Sequence, residues 1–276
     1  MSDTQTLILA DKLVHASIID GIRLSTARCI RFRHNDLVQL ERLLEQHHAT
    51  FRQLIIVTES IFSMDGDQAD LTALVRLKKR YSNVLLYVDE AHAFGVRGLR
   101  GLGCAEETGC IRDIDFLVGT FGKAAASAGA YIACCRTIRE YLVNRMRTFI
   151  FTTALLRQVL PGHCLSCGNL PECRTAASIW QESAGRCAKH YKPKVRMPQR
   201  KPYRPTDYRP QCRHRAVCRA AAEAWFYALP VRPPTVPEGT SRIRFSLTAD
   251  IREDEIGELI PLIPLKEEKN TNAIRF

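Results

Sequence analysis

Short, unbroken apolar runs punctuate the first half of the chain, and between them apolar positions recur at helical spacing. Leu54-Ile55-Ile56-Val57, Leu85-Leu86-Tyr87-Val88 and Phe116-Leu117-Val118 are strand-forming stretches with no polar alternation. Such runs predict strands buried on both faces, as in a parallel sheet covered by helices. The first leads to Glu59, the second to Asp89 and the third to Thr120-Phe121-Gly122-Lys123. Asn35-Asp36 ahead of Leu37, Leu40, Leu43 and Leu44 reads as a capped amphipathic helix. Asp70 caps a second one, with Leu71, Leu74, Leu77 and Tyr81 on one face. This strand–helix–strand order requires a right-handed crossover and a parallel pair. Tyr131-Ile132-Ala133 predicts a further strand, and Thr137 to Thr148 a helix with a basic outer face. The fold class is α/β.

Charge changes the picture only locally. The chain of 276 residues carries a net charge of +11, but Arg186 to Arg219 alone holds twelve Lys/Arg against one acid, Asp207. The remaining 28 basic and 28 acidic residues balance. A globally basic surface would point to polyanions; this excess belongs to one segment, so no nucleic-acid partner is expected. No apolar run approaches the ~20 residues of a membrane span, and Met1-Ser2-Asp3-Thr4-Gln5-Thr6 has no basic region ahead of a signal-like core. A cytoplasmic protein with reduced thiols and no membrane partner is the expectation.

Residues 157–224 stand apart, with six of the eleven cysteines and most of the prolines. Pro193, Pro198, Pro202, Pro205 and Pro210 exclude a regular helix there, and only Ala216 to Leu229 reads as helical again. Cys164, Cys167 and Cys173, or Cys212 and Cys218 around His214, have short ligand-like spacings. No paired knuckle of the usual spacing appears, so no metal is assigned. A solvated, disordered segment is expected, of the kind a paired frameshift would leave between two coherent regions. The expected division is 1–156, 157–224 and 225–276.

The chemistry sits at the strand ends. In parallel sheets, ligands gather at the carboxyl ends of strands, where Asp89-Glu90-Ala91-His92 and Lys123 lie. An acid, a histidine and a lysine around one small molecule suit pyridoxal phosphate. The amine forms a Schiff base with the aldehyde, and the carboxylate keeps the pyridine nitrogen protonated. Taken singly, the same residues can be a helix cap and a solvated lysine.

Four ordered motifs add a resemblance. Glu59-Ser60-Ile61-Phe62-Ser63-Met64-Asp65-Gly66-Asp67, Val88-Asp89-Glu90-Ala91-His92 and Gly119-Thr120-Phe121-Gly122-Lys123-Ala124 resemble successive signatures of the α-oxoamine synthases. Arg232-Pro233-Pro234-Thr235-Val236-Pro237-Glu238-Gly239-Thr240, followed by Arg242-Ile243-Arg244, is similar to the biotin-pathway branch of that family. The resemblance implies a fold-type I large domain, its mostly parallel sheet covered by helices on both faces, and an incomplete small C-terminal α+β domain. It also implies pyridoxal 5'-phosphate and a decarboxylative condensation of an amino acid with an acyl-CoA or acyl-carrier thioester. In the biotin branch these are L-alanine and a pimeloyl thioester. A relative using glycine or serine, or a non-catalytic remnant, is the alternative. The family normally carries roughly a hundred residues ahead of Asp11-Lys12-Leu13, including a Gly-rich phosphate-holding turn and a ring-stacking side chain. No equivalent is found, and His15 is read as structural.

Carried over residue by residue, the resemblance makes Lys123 the Schiff-base lysine and proton carrier, with Asp89 the partner of the pyridinium nitrogen. His92 would bond the phenolic oxygen and orient the substrate. Ser63 and Thr120 match hydroxyls that contact the cofactor, and Thr152 and Thr153 match residues reaching the phosphate of a neighbouring subunit in a homodimer. Arg232 and Arg244 are candidates for clamping the amino-acid carboxylate, Thr235 corresponds to a substrate contact, and Glu59 is a positioning candidate.

Overall fold

The computed structural model describes residues 3–153, 228–231, 233, 238, 242–245 and 257–258. These fall within two units, Met1–Arg174 and Thr175–Phe276.

In the first unit, β1 (Thr6–Asp11), β2 (Arg28–Phe32), β3 (Gln53–Glu59), β4 (Val84–Asp89), β5 (Phe116–Thr120) and β6 (Ala130–Ala133) form one sheet in the order β2-β1-β3-β4-β5-β6. The first five strands are parallel, and β6 closes the edge antiparallel to β5. The order reverses at β1, whose neighbours β2 and β3 continue in opposite directions. That topology opens a crevice at the carboxyl ends of the strands.

Strand alternation sorts the side chains onto two faces. Leu7, Leu9, Leu54, Ile56, Leu86 and Val88 pack against α2 (Leu37–His47) and α3 (Leu71–Lys79) in a continuous core. Both helices begin where the sequence predicts: Asp36 accepts from the Gln39 amide at 2.8 Å and Asp70 from the Ala73 amide at 2.9 Å. Ile8, Ala10, Ile55 and Val57 face the other way, towards Val14, Phe62 and α1 (Ala16–Arg23). β3 is buried on both faces as expected, whereas in β4 only alternate residues are, because Leu85, Tyr87 and Asp89 look onto the less filled side.

Downstream lie α4 (Cys104–Glu107), α5 (Arg136–Arg145) and α6 (Arg147–Ile150). The single helix predicted over 137–148 is thus two, divided at Met146, whose extended ψ of 101° interrupts the helical path. In the second unit β7 (Ala228–Val231) pairs antiparallel with β8 (Arg242–Phe245), Leu229 opposite Arg244. Ala228 and Leu229 therefore correct the end of the helix predicted over 216–229. Pro230 disfavours a helical conformation in the residue before it. The rest of that helix and all of 157–224 lie outside the described residues. Among the described residues no helix is long and apolar enough to cross a membrane.

Candidate active site

β3 and β4 run in register so that Glu59 lies beside Asp89, and the β4–β5 ladder places Val118 beside Asp89. Two further backbone bonds extend the ladder past the strand ends: Ser60 N–H to Asp89 O at 2.9 Å and Glu90 N–H to Val118 O at 2.7 Å. The chain ends here are consequently fixed against one another before any side chain is considered.

The two acids of Asp89-Glu90 then separate by alternation. Glu90 is fully buried and accepts from Ser60 Oγ, from the Cys104 amide at 3.1 Å and from the Ala105 amide at 2.6 Å. It is a clamp at the start of α4, and Gly103 (φ 103°) passes so close that a Cβ there would sit 2.6 Å from the Glu90 carboxyl carbon. Asp89 faces the opposite side of the sheet, where one carboxylate oxygen accepts from the Ala91 amide at 2.8 Å. Burial raises the Asp89 carboxyl above the ordinary range, opposed by that amide and by the charges of Lys123 and His15.

Lys123 arrives from the loop after β5. Phe121 N–H bonds Gly129 O at 3.0 Å, Ser127 N–H bonds Phe121 O at 2.8 Å, and Ala126 turns through a positive φ of 46°. Behind the loop, Phe121, Tyr131 and Phe94 pack ring against ring at 5.3–6.2 Å. Gly119 admits the Tyr131 ring, since a Cβ there would lie 2.5 Å from it. Thus held, Lys123 Nζ reaches His92 Nε2 at 3.0 Å. Thr120 Oγ1 donates to Gly129 O at 3.1 Å and accepts from the Gly122 amide at 3.2 Å, so its hydroxyl also shapes this loop.

These groups line a cavity of about 660 Å³. Its floor is Ile8, Ile55, Val57, Tyr87 and Val118 from the strands, and its flank is Ile18 and Ile22 from α1. Glu59, Asp89, His92, Thr120, Lys123 and His15 supply the polar lining. Glu59 is 3% exposed. Burial, with the Asp89 charge beside it, pushes its carboxyl up to about 7, against the His15 amide and the Lys123 charge.

The structure therefore brings together Asp89, His92, Thr120, Lys123 and Glu59 of the sequence candidates. Ser63 is half-buried in the turn after Ile61 and does not line the cavity. That turn is braced from the connection after β2 by His34, which bonds Asp11 at 3.0 Å and Asp67, while Asn35 Nδ2 donates to Asp67 at 3.0 Å. Thr152 and Thr153 are exposed beyond α6, and Thr152 Oγ1 donates to Thr148 O. Arg232 and Thr235 lie outside the described residues; Arg244 is placed only by its backbone in β8. His15 was read as structural and does cap α1, its Nδ1 accepting from the Ser17 amide at 3.3 Å. It also lines the cavity, a second role that its sequence position just ahead of a helix hid.

The chain matches the model of the class I and II aminotransferases over residues 1–263. It is 51% identical to a putative 8-amino-7-oxononanoate synthase of Glaesserella parasuis, covering 94% of this chain and 69% of the relative. It is 46% identical to the 8-amino-7-oxononanoate synthase of Haemophilus ducreyi, covering 94% and 68%. Among solved structures, it resembles the Sphingomonas wittichii serine palmitoyltransferase with a TM-score of 0.81 at 29% identity, covering 95% of this chain and 66% of that one. For the Francisella tularensis 8-amino-7-oxononanoate synthase the TM-score is 0.72 at 28% identity, covering 95% and 76%. A serine palmitoyltransferase solved with pyridoxal phosphate bound has a TM-score of 0.81 at 26% identity. The chain spans about two thirds of the length of most of these relatives, 66–69%. The resemblance carried by the four motifs is borne out, and so is the fold-type I architecture. The chain belongs to the class I and II aminotransferase family, and within it to the 8-amino-7-oxononanoate synthases.

Proposed function

We propose that the chain is a pyridoxal phosphate-dependent C-acyltransferase that condenses L-alanine with a pimeloyl thioester and releases CO2. The observation that carries this reading is the Lys123–His92 pair at 3.0 Å, set in the same cavity as Asp89. The identity to 8-amino-7-oxononanoate synthases favours it over a condensation of glycine or serine.

The residues fit the cofactor. Asp89 is a carboxylate held above its ordinary range by burial, so a cation placed against it relieves that penalty. Oε1 of Glu59, also buried, has no hydrogen-bond partner among the described residues. Apolar walls on two sides suit a flat ring. When bound, pyridoxal phosphate supplies an electron sink for the negative charge developed at the substrate α-carbon.

The chain's own groups do the rest. Lys123 would hold the cofactor through Nζ and, as a free amine, would carry the substrate α-proton. His92 accepts a hydrogen bond from Lys123 or donates one, according to tautomer, and keeps Nζ aimed into the cavity. Asp89 would hold the ring nitrogen in its charged form. Thr120, Ser63, Thr152 and Thr153 are proposed cofactor contacts, the last two across a homodimer. Arg232, Arg244 and Thr235 are proposed for the substrate. Residues 1–156 would form the cofactor domain and 225–276 part of the small domain, in a cytoplasmic enzyme.

The test is an assay of thiol release by the full chain supplied with pyridoxal phosphate, L-alanine and pimeloyl-CoA. Release that depends on L-alanine, and falls at least ~10³-fold in Lys123→Ala, is expected from loss of the nucleophile and base. Equal release by the variant would refute the assignment.

A further inference from the structure

Two carboxyls stand side by side at the floor of the cavity, and the proposed chemistry uses only one. Glu59 and Asp89 are register partners on adjacent parallel strands, and parity points both to the same face. Glu59 is 3% exposed, and its Oε1 has no hydrogen-bond partner among the described residues. Like charges so placed cannot both ionise at low cost without a cation between or above them.

The surrounding groups do not fully supply one. From β4, Asp89 adds negative charge and Tyr87 is held neutral by its own burial. From β1, Asp11 adds a further negative charge, though His34 pairs with it. His15, ahead of α1, offers Glu59 its backbone amide, and Lys123 its charge from beyond β5; His92 faces the cavity from the turn after β4. Only the His15 amide and the Lys123 charge favour an ionised Glu59, and burial and Asp89 outweigh them.

We propose that Glu59 is a proton-coupled positioning residue: neutral in the empty site, it ionises when a pyridinium ring seats against Asp89. On binding, the Glu59 O–H bond breaks and its proton leaves to solvent, so two carboxylates face one ring cation where one faced none. This rests on the reading of the cavity as a pyridoxal phosphate site. It assigns Glu59 a role in cofactor affinity and its pH dependence, exerted through Asp89 rather than by contact with substrate.

The experiment measures binding to the cofactor-free full chain, wild type against Glu59→Gln and Glu59→Asp. The probes are pyridoxal phosphate and aldehyde-free 4-deoxypyridoxine 5'-phosphate, whose uptake does not involve Lys123. In wild type, calorimetry in two buffers of different ionisation enthalpy gives about half a proton more released than in Glu59→Gln near pH 6.5. The ratio of Kd values, Glu59→Gln over wild type, is near one at about pH 5.5 and rises about tenfold by about pH 8.5, one unit of pKa coupling. Glu59→Asp restores part of that pH dependence, which a purely structural role would not. Equal pH slopes and equal proton release in wild type and Glu59→Gln overturn this inference alone. A wild-type chain that takes up neither probe at any pH overturns it together with the cofactor reading.

Discussion

The two faces of the sheet are built from the same strands yet do different work. On one, Leu9, Ile56, Leu86 and Val88 meet α2 and α3 in a closed apolar core, and the acid Glu90 there has its oxygens bonded to two amides and a hydroxyl. On the other, α1 only half covers Ile8, Ile55 and Val57, leaving a cavity of about 660 Å³. There Glu59 is buried and Asp89 half-buried, each with fewer partners, and both carboxyls are driven upward by desolvation. A filled face contributes stability; an unfilled face with under-satisfied charges gives it up to hold something else.

Variants can break that contrast, beginning with the largest effect. Ile56→Ala, on the filled face and wholly buried, should cost about 3–5 kcal/mol in denaturant unfolding, since its neighbours cannot collapse into the space. Glu59→Gln should act in the opposite direction above neutrality. The Glu59 carboxyl titrates at about 7 in the fold against an ordinary 4.5, so the folded chain keeps the proton between those values. That contribution is complete below the lower value and is lost as pH rises through the upper one. At about pH 8 the cofactor-free variant should therefore be more stable than wild type by about 2–3 kcal/mol, shrinking to nothing near about pH 4.5. The smallest change is expected from Ile22→Ala on the α1 flank, under ~1 kcal/mol, because it widens an existing cavity rather than creating one. A cost for Ile22→Ala equal to that for Ile56→Ala would mean that the two faces are packed alike.

What could be read from the chain divides along the same line. The filled face was legible: the caps Asp36 and Asp70, the helical spacing after each and the unbroken run in β3 are local signals. The ends of β4 and β5 were legible too, because an acid or a lysine loop directly after an apolar run marks a strand end. β2 was not seen, since Arg28-Cys29-Ile30-Arg31-Phe32 is an edge strand whose two arginines stay in solvent. α1 was missed for a related reason: none of its residues is buried, and Ile18, Ile19 and Ile22 only half cover the sheet. With α1 unseen, neither the cavity nor the place of His15 in it could be inferred. The register that sets Glu59 beside Asp89, and turns Glu90 away from both, is a property of strand pairing and leaves no trace in spacing along the chain. Thr120 matched its motif, and the structure adds that its hydroxyl also ties the lysine loop to Gly129.

The central claim is that Lys123 is the group in this cavity that takes pyridoxal phosphate covalently. Incubating the full chain with the cofactor, reducing with borohydride and mapping the modified peptide by mass spectrometry tests it directly. The expected result is a pyridoxyl phosphate group on Lys123, absent from Lys123→Ala and weakened in Asp89→Ala. A label on some other lysine, or equal labelling of the Lys123→Ala chain, would contradict it.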